Sequence, residues 1–295
     1  MANRTMSKAA FCALLILSAL SPTLRASAQA RARQAQAAAG VGRRRELFGV
    51  KLRPQAIRLL DRVEKKYGRR VREEPDSALG EGVHAYAAMD LDGTPVIKIR
   101  RGVAPTEAII VHELLHHAYD FPTVEFVPYA GWATQENVAY VQFLLAHVYG
   151  SIQHRMFFPQ MRAMGLNPDD EVRSGVEYLL RQDAFAADVK GVLPKEARAV
   201  AYFKAAMNTA DPDLLLRLAR RYEKNGWAEA LAAGRRLVKI VADARPRTVD
   251  DAAQVFVRCL NHIRRGDARF RLRERTVKKI GAYEEPWVSI EVRPN

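Results

Sequence analysis

Pro105-Thr106-Glu107-Ala108-Ile109-Ile110-Val111-His112-Glu113-Leu114-Leu115-His116-His117-Ala118-Tyr119 is the stretch on which the reading of this chain turns. Pro105 and Thr106 suit the start of a helix. Thr106 is placed as N-cap, and Glu107 falls in the first turn, where the helix dipole favours an acid. The pattern predicts a helix to about Tyr119. Ile109, Ile110, Val111, Leu114 and Leu115 make that helix broadly apolar, so it is expected to be buried. His112 and His116 stand four residues apart, which puts both imidazoles on one face about a turn from each other. Two buried histidines beside an acid are costly without a partner. A zinc ion is such a partner, because imidazole nitrogens at this spacing reach one ion at about 2.0–2.1 Å. Glu113, projecting at an adjacent angle, is then placed to hold and deprotonate a water. With 7 histidines in 295 residues, His-Glu-x-x-His arises by chance in roughly one such chain in a hundred.

On the N-terminal side, apolar residues at Ile57, Leu59, Leu60 and Val63 predict a helix over 55–67. Pro54 suits its first position and Gly68 its end. Residues 83–89 and 96–100 read as strands joined by the turn Asp90-Leu91-Asp92-Gly93. Alternation in Val96-Ile97-Lys98-Ile99-Arg100 predicts one buried and one wet face. On the C-terminal side, Pro122 and Pro128 mark a loop, and a second long helix is expected from about Trp132 to Tyr149, stopping at Gly150. Beyond it the chain reads as helices over 169–187, 195–208, 212–224, 227–243 and 249–264, with a short strand at 287–292. The fold class expected is α+β and mostly helical. Residues 218–231 faintly resemble one helical hairpin of the tetratricopeptide kind, but a single copy does not make a solenoid.

Glu136 lies twenty residues after His116, in the second helix. His112-Glu113-Leu114-Leu115-His116-His117 followed by Thr134-Gln135-Glu136-Asn137-Val138-Ala139-Tyr140 resembles the core of the gluzincins, the thermolysin-like zinc metallopeptidases. The resemblance covers residues 54–150. It implies a zincin-like core, zinc (Zn2+) held by His112, His116 and Glu136, and Glu113 as general base. Asp120 and Glu125 are rivals to Glu136 as third ligand; a helix holds a ligand more firmly than a loop, which ranks Glu136 first. The chain departs from the family in lacking the Gly-Ala-Met-Glu-Asn exopeptidase signature. Tyr140 also stands where thermolysin carries an acid four residues after its ligand Glu. His147, His154, Tyr178 and Tyr129 are all candidates to stabilise an oxyanion, and the sequence does not choose among them. His117 reads as a packing or surface residue. Lys98 and Arg100, on a strand of the kind that borders a zincin cleft, would favour acidic or carboxylate-bearing peptides added to that strand.

Arg4 and Lys8, the apolar run of residues 9–20 and Ala26-Ser27-Ala28 have the form of a signal peptide over residues 1–28. Residues 29–51 read as a disordered linker, residues 52–190 as the metallopeptidase domain and residues 191–295 as a helical C-terminal region. Cleavage leaves Cys259 as the only cysteine, and loss of Arg4, Lys8 and Arg25 takes the net charge from +14 to +11. The expected location is exported, in a periplasm or outside the cell. Expected partners are a peptide or protein substrate and anionic envelope components; no nucleic-acid motif or membrane span of the mature chain is visible. The alternatives are a non-catalytic envelope scaffold with a remnant or structural zinc site, and a hydrolase of a non-peptide amide. N-terminal sequencing of the exported protein should begin at Gln29-Ala30-Arg31; an intact Met1 on the exported form would refute the cleavage.

Overall fold

Thr106 caps the motif helix as its hydroxyl implies: its Oγ1 accepts from the Ile109 amide at 3.2 Å. The chain is seen here in a computed structural model. It describes residues 46–79, 83–168, 194–264 and 266–294, with positions 173, 176, 177 and 180. In order, the elements are β1 (Glu46–Leu47), β2 (Val50–Lys51), α1 (Pro54–Tyr67), β3 (Arg72–Asp76), β4 (Ala85–Met89), β5 (Pro95–Arg100), α2 (Glu107–Tyr119) and β6 (Thr123–Val127). After these come α3 (Gln135–Leu144), a π-helical segment (Leu145–Tyr149), α4 (Gly150–Ala163), α5 (Pro194–Asn208), α6 (Pro212–Lys224), α7 (Ala228–Ala244), α8 (Val249–His262), β7 (Arg269–Ile280) and β8 (Tyr283–Arg293). The fold is α+β, mostly helix with small sheets. The helix expected over 169–187 lies almost wholly outside the described residues, as do residues 1–45.

Helix α1 begins at Pro54 and ends on Gly68 in the left-handed conformation, and it buries Ala56, Leu59, Leu60 and Val63. It packs on α2, whose Ile110, Val111, Leu114 and Leu115 are fully buried. Truncating such a leucine to alanine costs about 2–5 kcal/mol, so the motif helix is a central member of the core. That core starts before Leu52: β1 and β2 form a small antiparallel hairpin whose Leu47 is fully buried. Residues 46–51 are thus ordered, and the linker expected over 29–51 ends sooner.

The first larger sheet has the order β3-β5-β4, with β5 parallel to β3 and antiparallel to β4. Strand β3, Arg72-Glu73-Glu74-Pro75-Asp76, is polar and escapes the hydrophobic pattern that marks β4 and β5. Its presence makes β5 the central strand. Val96 and Ile97 are both fully buried, so β5 is covered on both faces at its start and does not alternate as expected. Lys98 is engaged with Glu74 at 3.0 Å.

The second sheet has the order β6-β8-β7. Strand β6, expected as loop, lies parallel to β8, and β8 pairs along its length with β7. Nothing in Arg269–Ile280 announces an apolar strand, because seven of its twelve residues are charged; pairing with Trp287, Val288 and Ile290 makes it one. The pairing of β6 with β8 ties the segments read as 52–190 and 191–295 into one sheet, and residues 45–295 form one compact unit.

The two larger sheets meet at their turns. The Ala282 amide donates to the Leu91 carbonyl at 3.1 Å. Gly281 has φ +57°, and a Cβ there would stand 1.7 Å from the Leu91 oxygen. Gly281→Ala therefore meets both backbone strain and a backbone clash. It should lower unfolding stability by about 1–3 kcal/mol, read as the midpoint of urea unfolding; an unchanged midpoint would show that the turns do not bear on each other.

Candidate metal centre

The second long helix does not stop at Gly150. Gly150 has φ −56° and ψ −42°, ordinary right-handed values, so it continues the helix. Helix α3, the π segment and α4 run as one rod from Gln135 to Ala163. A glycine ends a helix only when it turns left-handed; here Ile152, Phe157, Phe158 and Met161 keep an apolar face packed beyond it. The π segment widens the helix for one turn and so rotates the residues C-terminal to it. Before it and within it, Tyr140, Val141, Leu144 and Val148 pack in the core shared with α5, α7 and α8. After it, Phe157, Phe158 and Met161 pack in the other core, with α1 and α2. His154 lies between these two stretches.

The consequence is a cluster of three imidazoles. One ring nitrogen from each of His112, His116 and His154 falls within 4.8 Å of the others. The Nε2 atoms of His112 and His116 are 3.2 Å apart. Two nitrogens bound tetrahedrally at 2.0–2.1 Å from one zinc are about 3.3 Å apart. The rings of His112 and His154 have centroids 4.6 Å apart, and those of His116 and His154 5.4 Å. Phe157 and Phe158 meet His112 edge-on, and Phe158 stacks on His154 at 5.0 Å. His112 is 9% exposed and Glu113, on the same turn, 5%.

Burial governs the protonation of this group. It pushes His116 well below the ordinary histidine range, helped by His112 and His117. It does the same to His154, helped by His112, His116 and Lys204. At neutral pH both rings are therefore uncharged and their lone pairs are open to a Lewis acid. His112 and His116 share a hydrogen bond between their Nε2 atoms. Nδ1 of His154 remains buried with no hydrogen-bond partner. Neutral imidazoles whose nitrogens converge this closely are an arrangement that a divalent metal can hold together. The described residues thus contain a group able to hold a metal ion, and the donor set does not name which ion.

Glu136, expected as third ligand, is not brought to the histidine pair; it is exposed in the first turn of α3. Its rivals are engaged elsewhere. Asp120 caps α2 with φ 58° and pairs with Lys66 at 3.1 Å. Glu125 points into the second sheet, 2.8 Å from Lys278, which holds its carboxyl below the usual range. His154 was visible in the sequence only as one of four oxyanion candidates. Its place in the cluster is hidden because it depends on the helix running through Gly150 and on the phase set by the π turn. Of the other three, His147 lies half-buried in that turn, with burial and Lys204 pushing it down to about 4. Tyr129 packs against the larger core, and Tyr178 lies outside the described residues. His117 is a packing residue as expected, buried with Nε2 3.2 Å from the Val96 carbonyl oxygen.

No family model, curated protein or solved structure matches this chain. His154→Ala should lower zinc affinity by at least about a hundredfold, since a tridentate site becomes bidentate. Glu136→Ala should leave it unchanged. Competition with a chromophoric chelator reads both, and the reverse pattern would restore Glu136 as ligand.

Proposed function

We propose that this chain is an exported zinc metallopeptidase. His112, His116 and His154 hold the metal, and Glu113 acts as general base. The observation that carries the reading is the convergence of three imidazoles from two helices, one buried and two half-buried, with a buried glutamate one residue from the first of them. Three protein ligands leave a fourth position for water or substrate, as in catalytic zinc sites. The His-Glu-x-x-His half of the gluzincin resemblance is retained, with a histidine from the following helix in place of Glu136. The order of helix, small sheet, motif helix and ligand helix supports a zincin-like core.

Zinc, when bound, supplies the Lewis acidity that polarises a scissile carbonyl and brings the pKa of water from 15.7 towards about 7. The chain's own chemistry is then proton transfer. The Glu113 carboxylate accepts a proton from the attacking water as the carbon–oxygen bond forms, and returns it to the amine nitrogen as the carbon–nitrogen bond breaks. The aromatic rings of Phe157 and Phe158 keep bulk water from the imidazoles, which strengthens these charge interactions. Strand β5 has neighbours on both sides and cannot receive an extended peptide. Strand β4, at the sheet edge and packed on α2, is the one placed to do so.

A structural metal in a non-catalytic scaffold is the second reading, favoured by the depth of the aromatic shell. Glu113→Gln separates the two. The variant should keep full zinc and lose hydrolysis of a peptide library by about 10²–10⁴-fold. Undiminished hydrolysis in the variant would end the peptidase reading, and zinc without hydrolysis in the wild type would establish the scaffold.

A further inference from the structure

A histidine has two ring nitrogens, and a metal takes one. In a buried site the other carries a proton and needs an acceptor, which also fixes the tautomer and the angle of the ring. His154 arrives on α4, where its neighbours are phenylalanines that offer no such acceptor. The acceptor comes from elsewhere in the chain. Asn208 is the last residue of α5, which packs against both α4 and the π segment. It is 2% exposed, and its Oδ1 is buried with no hydrogen-bond partner. A buried amide oxygen without a donor and a buried imidazole without an acceptor are complementary deficits.

We infer that Asn208 is a positioning residue for the metal centre, its Oδ1 accepting the N–H of His154 that faces away from the ion. The inference rests on the three-histidine metal reading above. Two further observations agree with it. Asn208 stands near enough to His154 to favour its charged form, against the burial that lowers its basicity. Met207, beside Asn208, is buried in the core that holds Tyr149 and Ile152, so the end of α5 is anchored to the ligand-bearing rod by packing. Asn208 touches neither ion nor substrate in this assignment; it acts through His154.

The test measures zinc dissociation constants by chelator competition for the full chain and for Asn208→Leu and Asn208→Asp. Leucine keeps the branched outline of asparagine, though larger, and carries no acceptor; aspartate restores one. Asn208→Leu should weaken zinc binding by about 10–100-fold, and Asn208→Asp should return it to the wild-type value or better. Wild-type affinity in a folded Asn208→Leu protein overturns the inference, and so does equal loss in both variants, which would mean packing alone. Should the variants not fold, histidine nitrogen spectra of the apo wild type decide: His154 held in one neutral tautomer supports the inference, and a mixture of tautomers overturns it. A wild-type chain that binds no zinc would instead remove the metal reading itself, while zinc bound with indifference to residue 208 removes only the role of Asn208.

Discussion

Three imidazoles packed together against phenylalanine rings form the constraint around which this fold is arranged. Each ring is tolerable in an apolar shell only when uncharged and when its nitrogens are satisfied. His112 and His116 come from one helix at a spacing that makes their meeting inevitable. The third ring does not come free. It requires a helix long enough to cross from one hydrophobic core to the other, and a π turn that sets its rotation. It requires the end of α5 beside it. The two cores are therefore joined at the point where the polar chemistry is densest.

The same constraint bears on pH. His117 is pushed down to about 4 by burial, against the hydrogen bond to the Val96 carbonyl that favours its charged form. His147 behaves alike. Groups whose folded pKa lies below the unfolded value of about 6.5 bind protons more readily once unfolded. Each thus withdraws up to about 1.4 kcal/mol of stability per pH unit as the pH falls from 6.5 towards 4. Above that window the rings are neutral in both states and contribute nothing to the pH dependence. Mild acid opposes both the fold and the lone pairs of the cluster.

Much of the architecture was legible because periodicity and capping agreed. Thr106 and Glu107 fixed the start of the motif helix, and Pro54 with Gly68 bracketed α1. Helices α5 to α8 fall within two residues of their expected bounds, each with a strong apolar face. The strands β3, β6 and β7 were not legible. Arg72–Asp76 and Arg269–Ile280 are dominated by charge, and they become strands only because a partner elsewhere supplies the ladder. For the site, the two helical histidines and Glu113 could be read from their spacing along a single helical turn. The third histidine of the cluster could not. Glu136 had the right distance along the chain, but distance along a chain says nothing about the phase of a helix that changes its winding on the way.

Among the described residues strand β6 has one strand neighbour, made of residues 283–293. It sits between the motif helix and the rod that carries His154. Until residues 283–293 have been synthesised, the link joining the two halves of the cluster has no sheet to lie in. A chain cut short before residue 283 would keep all three histidines and still lack the clasp that closes the loop between them. Topology thus makes this distant strand a precondition for the fully assembled cluster.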